Sequence, residues 1–229
     1  MNDTPSQQPR PALSLTETDF RRRARVGLLA APATDTIFDP RTGRARLRSD
    51  WDLNPELSAD LAAMETPRPA AVLIPIVMRD ELTVLLTQRT ETLNKHAGQI
   101  SFPGGRIDGD HETPLAAALR EADEEIGLTA EHVEPLGYLD GYRTGTGFHI
   151  TPVVALVRPN FTLTLHEGEV ADAFEVPLSF LMSIENHQQH AREWRGRHRQ
   201  FWAMPYGERY IWGATAGMLK NLHERLFAQ

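Results

Sequence analysis

The stretch FPGGRIDGDHETPLAAALREADEEIGL, residues 102–128, decides the reading of this chain. Its second half carries the marks of one sharply bounded helix, Thr113–Ile126. Thr113 is an N-cap residue type, Pro114 suits the first helical position and Gly127 suits the stop. Glu121, Glu124 and Glu125 stand at i, i+3 and i+4, so three carboxylates share one side of the helix, one turn apart. Like charges so placed repel one another. A hard divalent cation with oxygen ligands is their natural occupant, Mg²⁺ or in its place Mn²⁺. Leu115, Ala116, Ala118, Leu119 and Ala122 fill the other faces, as in a tightly packed helix. Just upstream, Phe102-Pro103-Gly104-Gly105 is a turn that lets backbone groups approach a ligand.

Working outward, Ala70–Met78 (AAVLIPIVM) is a short continuous apolar run suited to a buried strand. Glu81–Arg89 reads as its partner across a tight turn at Arg79-Asp80. Residues 90–112 read as a Gly-rich loop. Downstream, Val133–Tyr142, Ile150–Val157 and Thr162–Leu165 read as strands, and Pro177–Ser183 as a short helix. Residues 187–198 read as a polar loop or exposed helix. Gln200–Met204 and Tyr210–Trp212 are short strands, and Ala214–Phe227 is a closing helix. Strands and helices alternate without a strict βαβ rhythm, and there is no internal repeat. Upstream, residues 1–14 are Pro-, Gln- and Ser-rich and expected to be disordered. Residues 15–31 read as a helix whose Arg21, Arg22, Arg23 and Arg25 lie mostly on its wet side. A short helix is expected around Pro55–Met64. The expected division is a disordered terminus (1–14), an N-terminal helical extension (15–67) and a main domain (68–229).

The chain of 229 residues contains no cysteine, which excludes disulfide scaffolds, thiolate zinc sites and cysteine nucleophiles. The apolar run at Ala70–Met78 is far short of the roughly 20 residues of a membrane helix, and no signal-peptide layout opens the sequence. The expectation is a cytoplasmic protein that does not engage membranes. The first fifty residues carry nine Lys/Arg against six Asp/Glu, the remainder 15 against 25. An acidic main body argues against nucleic-acid binding, which needs a basic face, and leaves room for an acidic, metal-holding site.

The spacing Gly105, Glu112, then Arg120-Glu121-x-x-Glu124-Glu125-x-Gly127-Leu128 resembles the Nudix box. The usual box has five residues between Gly and the first Glu, and this chain has six. That longer spacing is similar to the coenzyme A pyrophosphatase subfamily, which also carries an upstream signature. The signature is legible as LLTQRT (85–90) followed by LNKHAGQISFPGG (93–105), with Thr90 in place of Ser and Asn94 in place of Arg. Three later blocks, Tyr142–Val154, Glu169–Leu178 and Ile211–Ala216, continue the likeness, which spans roughly residues 68–226.

The resemblance implies a Nudix α/β/α sandwich, a mixed twisted sheet between helices with an N-terminal helical extension. It implies Mg²⁺-dependent hydrolysis of the diphosphate of coenzyme A or an acyl-coenzyme A, giving 3′,5′-ADP and (acyl-)4′-phosphopantetheine. Other nucleoside diphosphates, such as ADP-ribose or NADH, would use the same box, and a non-catalytic Nudix binding module would be expected to lose its carboxylates. Metal ligands are expected at Glu121, Glu124 and Glu125, with the carbonyl of Gly105. Arg120 is read as the residue that fixes the ligating helix, with Glu112 as its loosely matched aid. Glu121 or the loop residue Glu169 would take the proton. Arg89, His96 and Gln99, in the upstream signature, are the expected substrate contacts. His149 reads as a surface histidine, and Trp194, Trp202 and Trp212 as core or interface. Three roles stay open for the Arg-rich helix: packing on the domain, forming the interface of a homodimer, or closing over substrate.

Overall fold

Residues Ala70–Val77 need an unbroken apolar run because both faces of this part of the strand are covered. The computed structural model describes residues 15–33, 38–39, 44–45, 48–54, 67–91, 98–109, 111–194 and 196–228. In chain order these hold α1 (Glu17–Gly27), β1 (Phe38–Asp39), β2 (Arg44–Ala45), β3 (Arg48–Ser49), β4 (Arg68–Val77), β5 (Thr83–Arg89), β6 (Ile100–Ser101) and β7 (Gly104–Arg106). Next come α2 (Pro114–Ile126), β8 (Val133–Tyr138), β9 (Tyr142–Arg143), β10 (Phe148–Val157), β11 (Val170–Pro177) and α3 (Leu178–Leu181). A hairpin-built sheet follows, β12 (Gln188–Trp194), β13 (Arg197–Tyr206) and β14 (Arg209–Trp212), and α4 (Ala214–Leu226) closes the chain.

The large sheet runs β11-β5-β4-β10-β9-β3, with β6 on β5, β7 on β4 and β8 on β10. β10 lies parallel to β4 from Phe148↔Arg68 to Val157↔Val77, and β3 is parallel to β9. The other pairings in this sheet are antiparallel, so it is mixed. Successive side chains point to opposite faces, and here each face has its own core. Ala71, Leu73 and Val77 of β4 join Val153 and Ala155 of β10 beneath α2. Val72, Ile74 and Ile76 join Val154 and Leu156 on the other side. There they meet Phe20 and Ala24 of α1, Met204 and Ile211 of the three-stranded sheet β12-β13-β14, and Leu219 and Leu222 of α4. This is an α/β/α sandwich with a mixed sheet between its helical layers, the arrangement that the resemblance implies.

Helix α1 is not a solvated appendage. Thr16 caps it by accepting from the Asp19 N–H at 3.2 Å. Arg21 donates both Nη atoms to Glu134, at 2.6 and 2.8 Å. Arg23 donates to the Leu226 carbonyl at 3.0 Å and lies over Phe227. Arg225 answers with a bond to the Gly27 carbonyl at 2.8 Å while pairing with Asp140. Two of the four arginines expected on the wet side are thus packing contacts, because α4 and β8 present carbonyls, a carboxylate and an aromatic face to them.

Three segments differ from the sequence reading. Residues 162–165 do not form a strand. The Thr164 N–H bonds instead to the Ile126 carbonyl and that of His166 to the Glu125 carbonyl, both at 2.9 Å, so this chain caps the C-terminus of α2. Residues 187–198 are neither loop nor helix but largely β12 and the start of β13, paired from Gln188↔Ala203 to Trp194↔Arg197. Their polar composition hid the strands because most of this hairpin is exposed. Segment 90–112, read as loop, carries the short strands β6 and β7. Residues 1–14 and 55–64 lie outside the described residues.

Phe20 is fully buried in the core shared by the large sheet and α4. Phe20→Ala is expected to destabilise the chain by about 3–5 kcal/mol. Urea unfolding checks this, and a change below about 1 kcal/mol would show α1 to be energetically separate.

Candidate functional site

Helix α2 sits close to the sheet because its inner face is small. Ala117, Ala118 and Ala122 are completely buried with Ile126 over Ala71, Leu73 and Ala155. Its ends are fixed as the sequence predicts. The Thr113 hydroxyl accepts from the Ala116 N–H at 3.1 Å, and Gly127, at φ +69°, turns the chain while its N–H bonds to the Asp123 carbonyl at 2.8 Å. This seat places one edge of α2 against the glycine pair of β7, which is itself paired to β4 through Ala71↔Gly105 and Val72↔Gly104.

Glu125 is on that edge, with its side chain only 6% exposed. One carboxylate oxygen accepts from the Gly104 N–H at 3.2 Å, and the other stands 3.7 Å from the Arg89 guanidinium. Burial pushes its pKa up to about 7. The Gly104 N–H and Arg89 work against that rise, whereas the charges of Glu121 and Glu169 add to it. Glu121 is also raised above the ordinary carboxylate value, first by burial and further by Glu124 and Glu169, with Arg120 opposing. A Cβ on Gly105 would overlap the Glu121 carboxylate, so only glycine leaves room for that side chain.

Arg120 is the strut of this arrangement. It bonds Glu112 at 2.9 and 3.2 Å, Glu121 at 2.9 Å, Glu124 at 3.1 Å and the Arg106 carbonyl at 3.0 Å. Glu112 in turn accepts from the Asp108 N–H at 2.6 Å, and Arg120 holds its carboxyl below the usual range. The loop before α2 is therefore tied to the helix through one guanidinium. Glu112, loosely placed by sequence, is a firm part of this tie.

The chain that caps α2 also delivers Glu169, whose backbone carbonyl accepts from the Thr90 N–H at 3.0 Å. Its side chain is exposed, with His166 Nδ1 3.9 Å away. The structure thus gathers Gly105, Arg120, Glu121, Glu124, Glu125 and Arg89, with Glu169 within electrostatic reach. Among the described residues no three His, Asp or Glu side chains are grouped as a ready-made metal cage; Glu121 and Glu124 are engaged with Arg120. His96 falls in 92–97, outside the described residues.

Arg89, Gln99, Gly104 and Gly105 also line a cavity of about 620 Å³, within the size range of small-molecule sites. It runs from the β7 edge to the three-stranded sheet and α4. Trp202 and Trp212 line it half-buried; Trp202 also packs against the core, as expected, whereas Trp212 does not. His149, expected on the surface, is only 9% exposed because β10 lies inside the sheet. Another wall comes from residues 48–53, within the N-terminal extension, where the sequence suggests no element. Asp50 holds it in place, accepting from Tyr142 Oη at 3.0 Å and the Gly145 N–H at 2.8 Å and pairing with Arg199 at 2.7 Å. Asn54 exchanges two hydrogen bonds with the Gln200 backbone, at 2.7 and 2.9 Å. No local pattern in the sequence announces these contacts, which join positions about a hundred or more residues apart.

The NUDIX domain family profile matches residues 67–203, more than half of the chain. The Cronobacter sakazakii protein named "Uncharacterized Nudix hydrolase NudL" is 42% identical over 155 residues, covering 68% of this chain and 81% of that protein. Its namesake from Enterobacter is 39% identical over 170 residues, covering 74% and 87%. Among solved structures, the NUDIX domain of Shewanella oneidensis NrtR, complexed with ADP ribose, aligns at 20% identity and a TM-score of 0.45, over 76% of this chain and 98% of that one. The box residues on one capped helix, the mixed sheet beneath them and the two NudL relatives agree: the chain belongs to the Nudix family and is a Nudix pyrophosphohydrolase.

Proposed function

We propose that this Nudix enzyme hydrolyses the diphosphate bond of coenzyme A or an acyl-coenzyme A, releasing 3′,5′-ADP and (acyl-)4′-phosphopantetheine. The observation that carries this reading is positional. The upstream signature, residues 85–105, borders the cavity through Arg89, Gln99 and Gly105, next to the carboxylate edge of α2. A substrate seated there would meet the fork of Arg89, which suits phosphate oxygens, while the apolar wall of Val72, Phe148 and Trp212 accommodates its non-phosphate parts.

The donor set fits a hard divalent cation, Mg²⁺ or Mn²⁺. Glu125 and Glu121 are both destabilised as anions by burial, Glu125 further by the charge of Glu121 and Glu121 by that of Glu124, and oxygen-only ligands match such an ion. Glu121, Glu124 and Glu125 with the Gly105 carbonyl would hold it. Bound there, it would lower the pKa of the attacking water and neutralise charge on the leaving phosphate. Arg120, fixed by Glu112, orients the carboxylate edge. Water forms a new bond to one phosphorus as the P–O–P bridge breaks, and its proton passes to a carboxylate, Glu121 or the more exposed Glu169. Arg89 and Gln99 position the diphosphate, with His96 assigned the same role from the signature alone. The expected surroundings of this chemistry are cytoplasmic, without nucleic acid or membrane.

With Mg²⁺, the expected order of turnover is coenzyme A and acetyl-coenzyme A ahead of dephospho-coenzyme A, ADP-ribose and NADH. Product chromatography on that panel checks it, and ADP-ribose or NADH in first place would overturn the substrate assignment. Glu121→Gln is expected to lower kcat by at least about a hundredfold. Gly105→Ala is expected to lower kcat by about tenfold or more while shifting Tm by less than about 4 °C, because its methyl displaces one carboxylate rather than opening the core. A Gly105→Ala enzyme with parental kcat would show that the close seat of Glu121 has no bearing on turnover.

A further inference from the structure

The cavity wall opposite in sequence to the family signature carries a feature that the box chemistry does not use. In β12 and β13, Arg192 stands directly across from Arg199. Two like charges directly opposite on antiparallel strands destabilise the sheet, and both line the cavity. Arg199 is compensated by Asp50 at 2.7 Å. Arg192 has no carboxylate partner among the described residues. Its guanidinium lies instead over Trp212, 4.5 Å from the ring centroid, with Phe201 at 5.9 Å. Those rings are themselves packed edge to face at 5.2 Å. An arginine stacked in this way keeps its planar fork of N–H donors available at the rim of the cavity, a geometry suited to phosphate oxygens.

We propose that Arg192, seated on Trp212 and Phe201, recognises a second phosphate of the substrate, a phosphomonoester on its nucleotide part, distinct from the diphosphate that is cleaved. The diphosphate belongs to the β7 edge, where Arg89 and Gly105 adjoin the carboxylates. Arg192 belongs to the other sheet, and Trp212 beneath it lies beyond the part of the chain that the family profile matches, residues 67–203. A dianionic phosphate at Arg192 would offset the Arg192–Arg199 repulsion, which an uncharged group there would not. This inference rests on the coenzyme A reading only for the identity of the nucleotide; the anion site stands on the arginine pair and the aromatic seat.

The test uses the full chain and two probes, adenosine 3′,5′-bisphosphate and 5′-AMP, with affinities measured by calorimetry. The parent is expected to bind the bisphosphate at least about tenfold more tightly, the scale of one charge-assisted hydrogen-bonded contact. In Arg192→Gln that ratio is expected to fall towards one. Arg192→Lys, which keeps the charge but loses the stacked fork, should leave an intermediate ratio. Arg197→Gln, on the same hairpin and outside the cavity lining, should leave it at the parental value and shows that the hairpin tolerates loss of an arginine. A parental ratio in Arg192→Gln, or an equal loss of affinity for both probes, overturns the proposal. Failure of the parent to hydrolyse coenzyme A would instead overturn the substrate reading and leave the binding ratio as an independent test of Arg192.

Discussion

The close seat of α2 on the large sheet is the constraint from which the site follows. Alanines at 117, 118 and 122 let the helix axis approach β4 and β10, while Gly104 lets β7 lie against Ala71 and Val72 of β4 and Gly105 leaves room for the Glu121 carboxylate. The consequence is electrostatic. Glu125 is buried far enough for its pKa to reach about 7, although it accepts a backbone N–H and faces Arg89. Taking a carboxylate out of water costs free energy unless a charge partner or hydrogen bonds compensate. Here the compensation inside the chain is incomplete, and Arg120 is already shared among Glu112, Glu121 and Glu124. A site built this way is unfavourable for stability and suited to receiving a cation, a combination typical of functional positions.

The cavity beside it is assembled from more than the family-matched part of the chain. Residues 48–54 come before residue 67, and β14 and α4 come after residue 203. Asp50, bonded to Tyr142, Gly145 and Arg199, ties the first of these to β9 and β13. Arg48 pairs with Glu224, and Arg225 with Asp140, which ties the second to the same region. Burial raises the Tyr142 hydroxyl well above its usual pKa, with Asp50 adding to the effect, so it stays a donor to that carboxylate. The cavity that adjoins the box glycines thus takes part of its walls from flanking sequence and part from the family-matched strands, where Arg192, Arg199 and Trp202 line it.

What the sequence made legible were the features fixed by local physics. Thr113, Pro114 and Gly127 bound α2 to within a residue, the apolar runs of β4 and β10 announced strands covered on both faces, and the i, i+3, i+4 carboxylates lie on or beside the edge that meets Gly105. Features fixed by distant partners stayed hidden. Residues 162–165 have strand-like composition, yet their N–H groups serve the end of α2. Residues 188–194 look like loop because a largely exposed hairpin has no apolar period to display. Trp212 resembles a core residue until the walls around it define a cavity, and Arg192 gains meaning only from its place opposite Arg199.

In the proposed site, the buried carboxylate edge of α2 would hold a divalent cation. Titration of Mn²⁺ into the parent protein and into Glu125→Gln, followed by electron paramagnetic resonance, tests it without recourse to turnover. Saturable Mn²⁺ binding by the parent is expected, weakened at least about tenfold in Glu125→Gln, with both proteins folded by circular dichroism. Equal Mn²⁺ affinity in the two would contradict it and place the metal elsewhere on the chain.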